Sequence, residues 1–307
     1  MNCGCFADTL HYSSPANGGR GVVRTGMMVP ESVQLFVCPF ACGRHGAISI
    51  MKQEMKRRLA YLYVDQSDII SGYDDLIPPA VEEFLQALPA RPRVVLVFVS
   101  CLDDLIGTDN DALEDTLHAR FPGIRFRVCH MNPISLGSAT PPGVSIQNKM
   151  YSLLEGGRAP DRGVNCLGNL AQVDPRGEIH AFLAGLGLGE LRHISRYTSF
   201  EDYQQMGSSC LNLVIAPQGK QAAGQLERRL GIPMLTLPVS YRLEEIEAGY
   251  RSLARWADTA WELAPDLTPW RDRALAAAER ARARVGEIPL VVDASAFQRP
   301  FGAARRL

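Results

Sequence analysis

The sequence predicts an α/β fold built from Rossmann-like, doubly wound parallel sheets. Three observations lead there. Short apolar, β-branched runs alternate with longer amphipathic stretches. The runs are almost uninterrupted in apolar character, which suits strands covered on both faces. The alternation of strand and helix is itself the pattern of βαβ units.

In chain order, "VQLFV" (33–37) is followed by Cys38. Strands "RVVLVFVS" (93–100) and "IRFRVC" (124–129) come next, with helices expected at 79–88, 111–120 and 145–155. A stretch rich in glycine, proline and charge, "EGGRAPDRG" (155–163), marks a boundary. Beyond it lie strands "LNLVIA" (211–216) and "MLTLPV" (234–239), and a helix at 220–230. A long helix from Leu243 to Leu263 sets Leu243, Ile246, Tyr250, Leu253, Trp256, Ala260 and Leu263 on one stripe. Ser240 is its expected N-cap, with Glu244 and Glu245 near the positive helix end. An alanine-rich helix (269–285) leads to a last strand, "IPLVVDA" (288–294), and to "AFQRPFGAARRL". The domains are read as 1–157, 158–286 and 287–307. The last is either the start of a third α/β unit, absent or truncated here, or a terminal strand and helix.

Hydrophobic residues make up 46% of the 307, enough for sizeable cores and too many for a disordered chain. The formal net charge of −1 gives no electrostatic case for nucleic acid or an anionic membrane. The first twenty residues lack the apolar segment of a secretory signal. No run reaches the ~18 apolar residues a membrane helix needs. A soluble, cytoplasmic protein is expected.

The eight cysteines are Cys3, Cys5, Cys38, Cys42, Cys101, Cys129, Cys166 and Cys210. In a large chain without a signal they do not read as a disulfide framework. Ligands of open parallel sheets sit beyond the carboxyl ends of strands, where Cys38, Cys42 and Cys101 fall. Cys101 opens the loop "CLDDLIGTDN" just before a helix, a position that favours thiolate, the form that binds iron. The competing reading is burial as a small hydrophobe. It fits Cys129 and Cys210 best and leaves Cys166, alone in "VNCLGN", between the two. Asp103 and Asp104 read as helix-capping or solvated carboxylates.

Other motifs fall away. "APQGKQAAG" (216–224) lacks the phosphate-loop spacing and has Gln221 where Ser or Thr would hold magnesium. "NGGRGVV" (17–23) does not match a dinucleotide fingerprint, so its glycines serve a turn. His11 and His45 read as surface or capping residues.

Several stretches together resemble the nitrogenase component 1 superfamily in order and spacing. They are "GRGVV", "VCPFACGRHG", "SCLDDLIGTDN", "RYTSFEDYQQM" and "LNLVIAPQGKQAAGQLERRLGIP". That superfamily includes the nitrogenase α and β chains, the dark-operative protochlorophyllide and chlorophyllide reductases, and a reductive cyclase of coenzyme biosynthesis. The resemblance implies stacked Rossmann-like domains in a dimer, homodimeric or with a related subunit. It implies an iron–sulfur cluster at or near the subunit interface. Electrons arrive singly from a separate ATP-dependent iron–sulfur reductase, and ATP is used only by that partner.

On the family's cysteine loops, Cys42 takes the place of the second cluster ligand and Cys101 of the third. The family's first cluster cysteine precedes the "GVV" segment, where this chain has Ser13, Ser14 and Pro15. Either Cys5 or Cys3 reaches from upstream, with Cys38 in reserve, or two chains each give Cys42 and Cys101 to one [4Fe-4S] cluster. The nitrogenase α chain anchors its iron–molybdenum cofactor with a cysteine where this chain has Ala216-Pro217. No such cofactor, and no dinitrogen reduction, is expected. The implied function is a reductase component acting on a tetrapyrrole or another small molecule. Candidate substrate-facing residues are His130, Asn165 and Arg196, at expected strand ends near the domain boundary. The alternative is a scaffold or carrier for metallocluster or tetrapyrrole assembly, without turnover. A third reading is an α/β domain whose cysteines hold no metal.

Overall fold

The apolar runs form two four-stranded sheets, parallel throughout. The computed structural model describes residues 23–43, 56–131, 142–290 and 299–305. They fall into two units, Met1–Leu153 with Thr198–Phe200, and Leu154–Tyr197 with Glu201–Leu307.

In the first unit, β1 (Ser32–Cys38), β2 (Leu59–Tyr63), β3 (Val94–Val99) and β4 (Arg125–His130) lie in the order β2-β1-β3-β4. β3 is wholly buried, as an inner strand covered on both faces must be. Its helices begin and end on local chemistry. α1 (Gln66–Ser71) starts at Asp65, whose carboxylate accepts from Ser67 and Asp68 while Asp68 closes a capping box. α2 (Ile77–Ala87) carries proline in its first turn, where no N–H is missed. α3 (Cys101–Ile106) is capped by Ser100 and stops at Gly107, whose φ is 72°. α4 (Asn110–Arg120) is capped by Asp109. α5 (Pro142–Tyr151) ends short of the expected residue 155.

Leu35, Val37, Val95, Val97 and Val99 share one core with Tyr73, Ile77, Val81, Leu113 and Leu117. Phe36 and Phe98, on the opposite parity of their strands, stack at 4.8 Å. The Arg58 guanidinium donates to the carbonyls of Met27, Val29 and Ser32, tying residues 27–29 to the start of β1. Val37 pairs with both Leu62 and Val99, and Val99 with His130, so the four carboxyl ends are flush. Strand order reverses between β1 and β3. The switch-point crevice therefore opens between the loops that follow Cys38 and Val99.

The second unit repeats the topology. β5 (Val164–Leu167), β6 (Leu191–Arg192), β7 (Leu211–Val214) and β8 (Met234–Thr236) lie in the order β6-β5-β7-β8. Their helices are α6 (Glu178–Gly185), α7 (Lys220–Leu230), α8 (Leu243–Trp256), α9 (Thr268–Val285) and α10 (Pro300–Ala304). Val164, Leu211 and Leu213 pack with Phe182, Leu183, Tyr250 and Leu253. At this sheet's switch point the loops touch. A Cβ on Gly168, whose φ is 102°, would stand 2.5 Å from the Ala216 carbonyl oxygen. A Cβ on Gly219 would stand 2.5 Å from Gly168 N.

Three local expectations are corrected. β7 and β8 end at Val214 and Thr236, before residues 216 and 239; a 3-10 turn at Pro217–Gly219 takes over after β7. The apolar period of α8 runs on to Leu263, yet the helix stops at Trp256. Asp258 turns left-handed at φ 52° and Thr259 N donates to Ala254 O at 2.9 Å. Ser240 is not the N-cap. Arg242 holds that place, and Ser240 Oγ accepts from Arg242 N and donates to Glu245. Most of the expected strand at 288–294 lies outside the described residues. Among described residues, no helix is long and apolar enough to cross a membrane.

Candidate functional site

The carboxyl edge of the first sheet gathers the sequence's candidate thiols. Cys38 is the last residue of β1 and is fully buried; burial, then the charge of Cys42, pushes its thiol up to about 12. Cys42 follows in a helical turn at residues 40–43, its N–H donating to Pro39 O, and its thiol is exposed. Gly43 permits that turn, since a Cβ there would press at 3.0 Å on the Tyr61 ring. Cys101 opens α3 one residue past Ser100 and is half-buried.

Burial first, and the nearby charge of Cys101 second, raise the Cys42 thiol. Desolvation and a like charge disfavour the anion there. Cys129 and Cys166 are buried, and desolvation pushes each up to about 12. Cys210 is half-buried, its Sγ 3.3 Å from Gly163 O. Cys3 and Cys5 lie outside the described residues, as do His11 and His45. Among the described residues no three His, Cys, Asp or Glu side chains gather as a metal-holding group.

Directly behind Cys101, Asp103 is neither a cap nor solvated. It is 1% exposed and forms the hub of a network. Tyr73 OH donates to Oδ1 at 3.2 Å, and Asn110 Nδ2 donates to Oδ2 at 2.7 Å. His130, at the end of β4, sets Nδ1 3.8 Å from Asp103 Oδ2 and Nε2 3.3 Å from Asn110 Nδ2. With Asn110 donating, Nε2 accepts and the ring proton sits on Nδ1, facing the carboxylate. Tyr73 and Asn110 carried no signal in the sequence. They reach Asp103 from 30 residues before and seven after, with no motif to link them.

The other two candidates lie in the second unit. Asn165 sits inside β5 rather than at its end, fully buried. Its amide donates to Met206 O and Asn212 Oδ1 and accepts from Ser209 Oγ, all at 2.9 Å. Arg196 lies just past β6, donates to Leu191 O and pairs with Glu190 at 3.0 Å. It lines a cleft of about 310 Å³ with Gln172, His180, Glu190, His193 and Cys166. His193 Nε2 donates to Asn169 O at 3.1 Å, which leaves Nδ1 to accept from Ser195. Burial holds His193 below the usual imidazole range against that hydrogen bond. The buried Nε2 of His180 has no hydrogen-bond partner among the described residues. A second, apolar cavity of about 210 Å³ is lined by Leu213, Ile215, Leu237 and Val239 and shares Cys166, Val173 and Leu191 with the first. Together they run along the carboxyl edge of the second sheet, polar at the β6 side and apolar toward β8.

Residues 19–305 match the family model described as Nitrogenase component 1 type Oxidoreductase. Among solved structures, the chain is similar to one described as "Nitrogenase Cp1 at pH 6.5", at 16% identity and a TM-score of 0.68 over 90% of this chain and 65% of that one. It is also similar to "Nitrogenase Cp1 at pH 5", at 17% identity and a TM-score of 0.57 over 89% and 58%. The chain thus spans less than two thirds of the length of either. At such identities the likeness is one of fold. No curated protein matches the sequence.

Proposed function

The chain belongs to the nitrogenase component 1-type oxidoreductase family, and on that premise we propose that it is a reductase component holding a [4Fe-4S] cluster. Cys42 and Cys101 are its ligands, and a second chain supplies the same pair, giving four thiolates across the interface of a homodimer or a pair of related subunits. When bound, the cluster supplies a one-electron relay, fed by an ATP-dependent iron–sulfur reductase.

The observation that carries this reading is the convergence of the two cysteines on the switch point. They leave β1 and β3, the strands between which the order reverses, and the Cys42 thiol feels the charge of Cys101 at an accessible edge. A thiol whose ionisation is opposed by a neighbouring thiol is relieved by a shared cation. The surface at that edge suits a second subunit. Phe40 is 77% and Leu105 79% exposed, and buried apolar side chains are what stable interfaces require. Asp103, Asn110 and His130 hold α3, and with it Cys101, in place. The substrate, a tetrapyrrole or another small molecule, occupies the joined cavities of the second sheet, its polar end against Arg196. His130 and Asn165 are not on those cavities; His130 is a positioning residue, and the Asn165 amide organises the core of the second sheet. Ala216, at 7% exposure, and Pro217 offer no thiol to an iron–molybdenum cofactor.

Purification without oxygen tests this. The protein should be brown, with about four iron and four sulfide per dimer. Cys42→Ala or Cys101→Ala should abolish the iron, and Cys129→Ala should keep it. Protein that stays colourless after anaerobic reconstitution would overturn the reading. Iron retained in Cys42→Ala but lost in Cys38→Ala would overturn the ligand assignment.

A further inference from the structure

The joined cavities of the second sheet narrow the class of molecule that fits them. The polar one is about 310 Å³ and the apolar one about 210 Å³. Both stand near or below the lower end of the ~300–1,000 Å³ range of small-molecule sites. That suits a short chain or a single ring rather than a macrocycle of four pyrrole rings. Most polar groups of the cleft are already engaged. Glu190 is paired with Arg196 at 3.0 Å and with Arg192 at 3.5 Å. Asp174, in the loop before α6, is held by Arg176 at 2.8 Å. His193 spends one ring nitrogen on Ser195 and the other on Asn169. Cys166 stays a neutral thiol, since burial pushes it up to about 12.

What remains is a set of donors. The buried Nε2 of His180 is without a hydrogen-bond partner among the described residues, a condition that folded proteins rarely tolerate. Arg196 reaches Leu191 O and Glu190 through Nη1, and a guanidinium has five N–H groups to give. The Gln172 amide is exposed on the same cleft. A ligand that answers all three carries acceptors, and a carboxylate offers about four lone-pair sites. An ammonium would have to displace a guanidinium from Glu190. A wholly apolar ligand would leave His180 unsatisfied. The other end differs. Leu213, Ile215, Leu237 and Val239 line the apolar cavity. Glu178 lines it too and accepts from Tyr250 OH at 2.9 Å. A second carboxylate on the ligand would be desolvated against Glu178.

We propose that this site takes a small amphipathic monocarboxylate, its carboxylate held by His180 Nε2 and the Arg196 guanidinium and its apolar body lying toward β8. The proposal rests on the reading of these cavities as the substrate site and narrows that reading to one chemical class.

Titration calorimetry of the full chain with hexanoate tests it. Saturable one-to-one binding is expected. Hexanol, hexylammonium and the dicarboxylate adipate should each bind at least about tenfold more weakly, the first two for want of a charge-assisted hydrogen bond and the last for its surplus charge. His180→Leu and Arg196→Gln should each weaken hexanoate binding about tenfold. The Arg196 side chain is 41% exposed, so that variant keeps the fold; its unchanged melting temperature is the check. In NMR spectra the His180 ring signals should move during the titration, while those of His118, in the first unit, stay. Absence of saturable binding would overturn the proposal. So would equal affinity for hexanol or full affinity in Arg196→Gln. Iron measured on the same sample keeps the two readings apart. Brown protein that does not bind hexanoate overturns the carboxylate site alone. Colourless protein that binds it upholds the site and counts against the cluster alone.

Discussion

Asp103→Ala should be the most damaging single change in the first unit outside its apolar core. The carboxylate is 1% exposed and accepts from Tyr73 OH and Asn110 Nδ2. Tyr73 is itself 0% exposed, so its hydroxyl cannot turn to water. Each hydrogen bond to a charged acceptor contributes about 1.5–3 kcal/mol. The two losses together come to about 4 kcal/mol. With a urea dependence of about 2 kcal/mol per molar, the midpoint should fall by about 2 M. Asp103→Asn should cost about 1–2 kcal/mol. The Asn110 amide can turn its oxygen, now buried without a partner among the described residues, toward the new amide. Urea unfolding separates the units, because Trp256, Trp261 and Trp270 all lie in the second. Far-UV circular dichroism should show the shift and tryptophan fluorescence should not. A circular dichroism midpoint within about 0.3 M of the unaltered protein, or an equal shift by both probes, would refute the reasoning.

Three further outcomes are expected. Gly168→Ala forces a side chain into a left-handed backbone with the Ala216 oxygen 2.5 Å away. It should cost the fluorescence transition at least about 2 kcal/mol, and an unchanged transition counts against that packing. Burial pushes the Asp161 carboxyl up, but hydrogen bonds from Arg192, Gly163 and Ser208 outweigh it and hold the carboxyl below the usual range. A depressed carboxyl stabilises above its unfolded value, about 3.9, and that contribution is lost as pH falls through the folded value. The second unit should therefore weaken below about pH 4, and Asp161→Asn should flatten the decline; equal slopes would refute it. Without iron or denaturant, a disulfide reagent should label Cys42 and spare Cys38, Cys129 and Cys166 until unfolding. Mass mapping that finds Cys38 labelled first would reverse the assignment.

The fold was largely legible because inner parallel strands have nothing polar to alternate with. "VVLVFV" could be little else. Family membership and the parallel α/β sheets follow the sequence reading closely. Cys42 and Cys101 stood out from strand ends and spacing, and the structure adds that their strands flank the order reversal. What stayed hidden depends on single backbone angles and on register. The left-handed turn at Asp258 cuts a helix whose apolar period continues unbroken. Asp103 looked like an ordinary acidic residue in a helix's first turn. Its burial follows from where Tyr73 and Asn110 arrive, and no local pattern encodes that. Asn165 looked like a strand-end residue beside a boundary. Its role is set by Asn212, 47 residues later on the neighbouring strand.

The contact of Gly168 with Ala216 and Gly219 has a mechanical consequence. Two loops at the crest of the second sheet meet backbone to backbone, with no side chain between them to absorb a displacement. Ile215 N, donating to Leu167 O at 3.0 Å, pins the same seam from beneath. A push on the loop after β5 is handed to the loop after β7 without slack. The two loops are thus seated as one block on the crest rather than as two free arms.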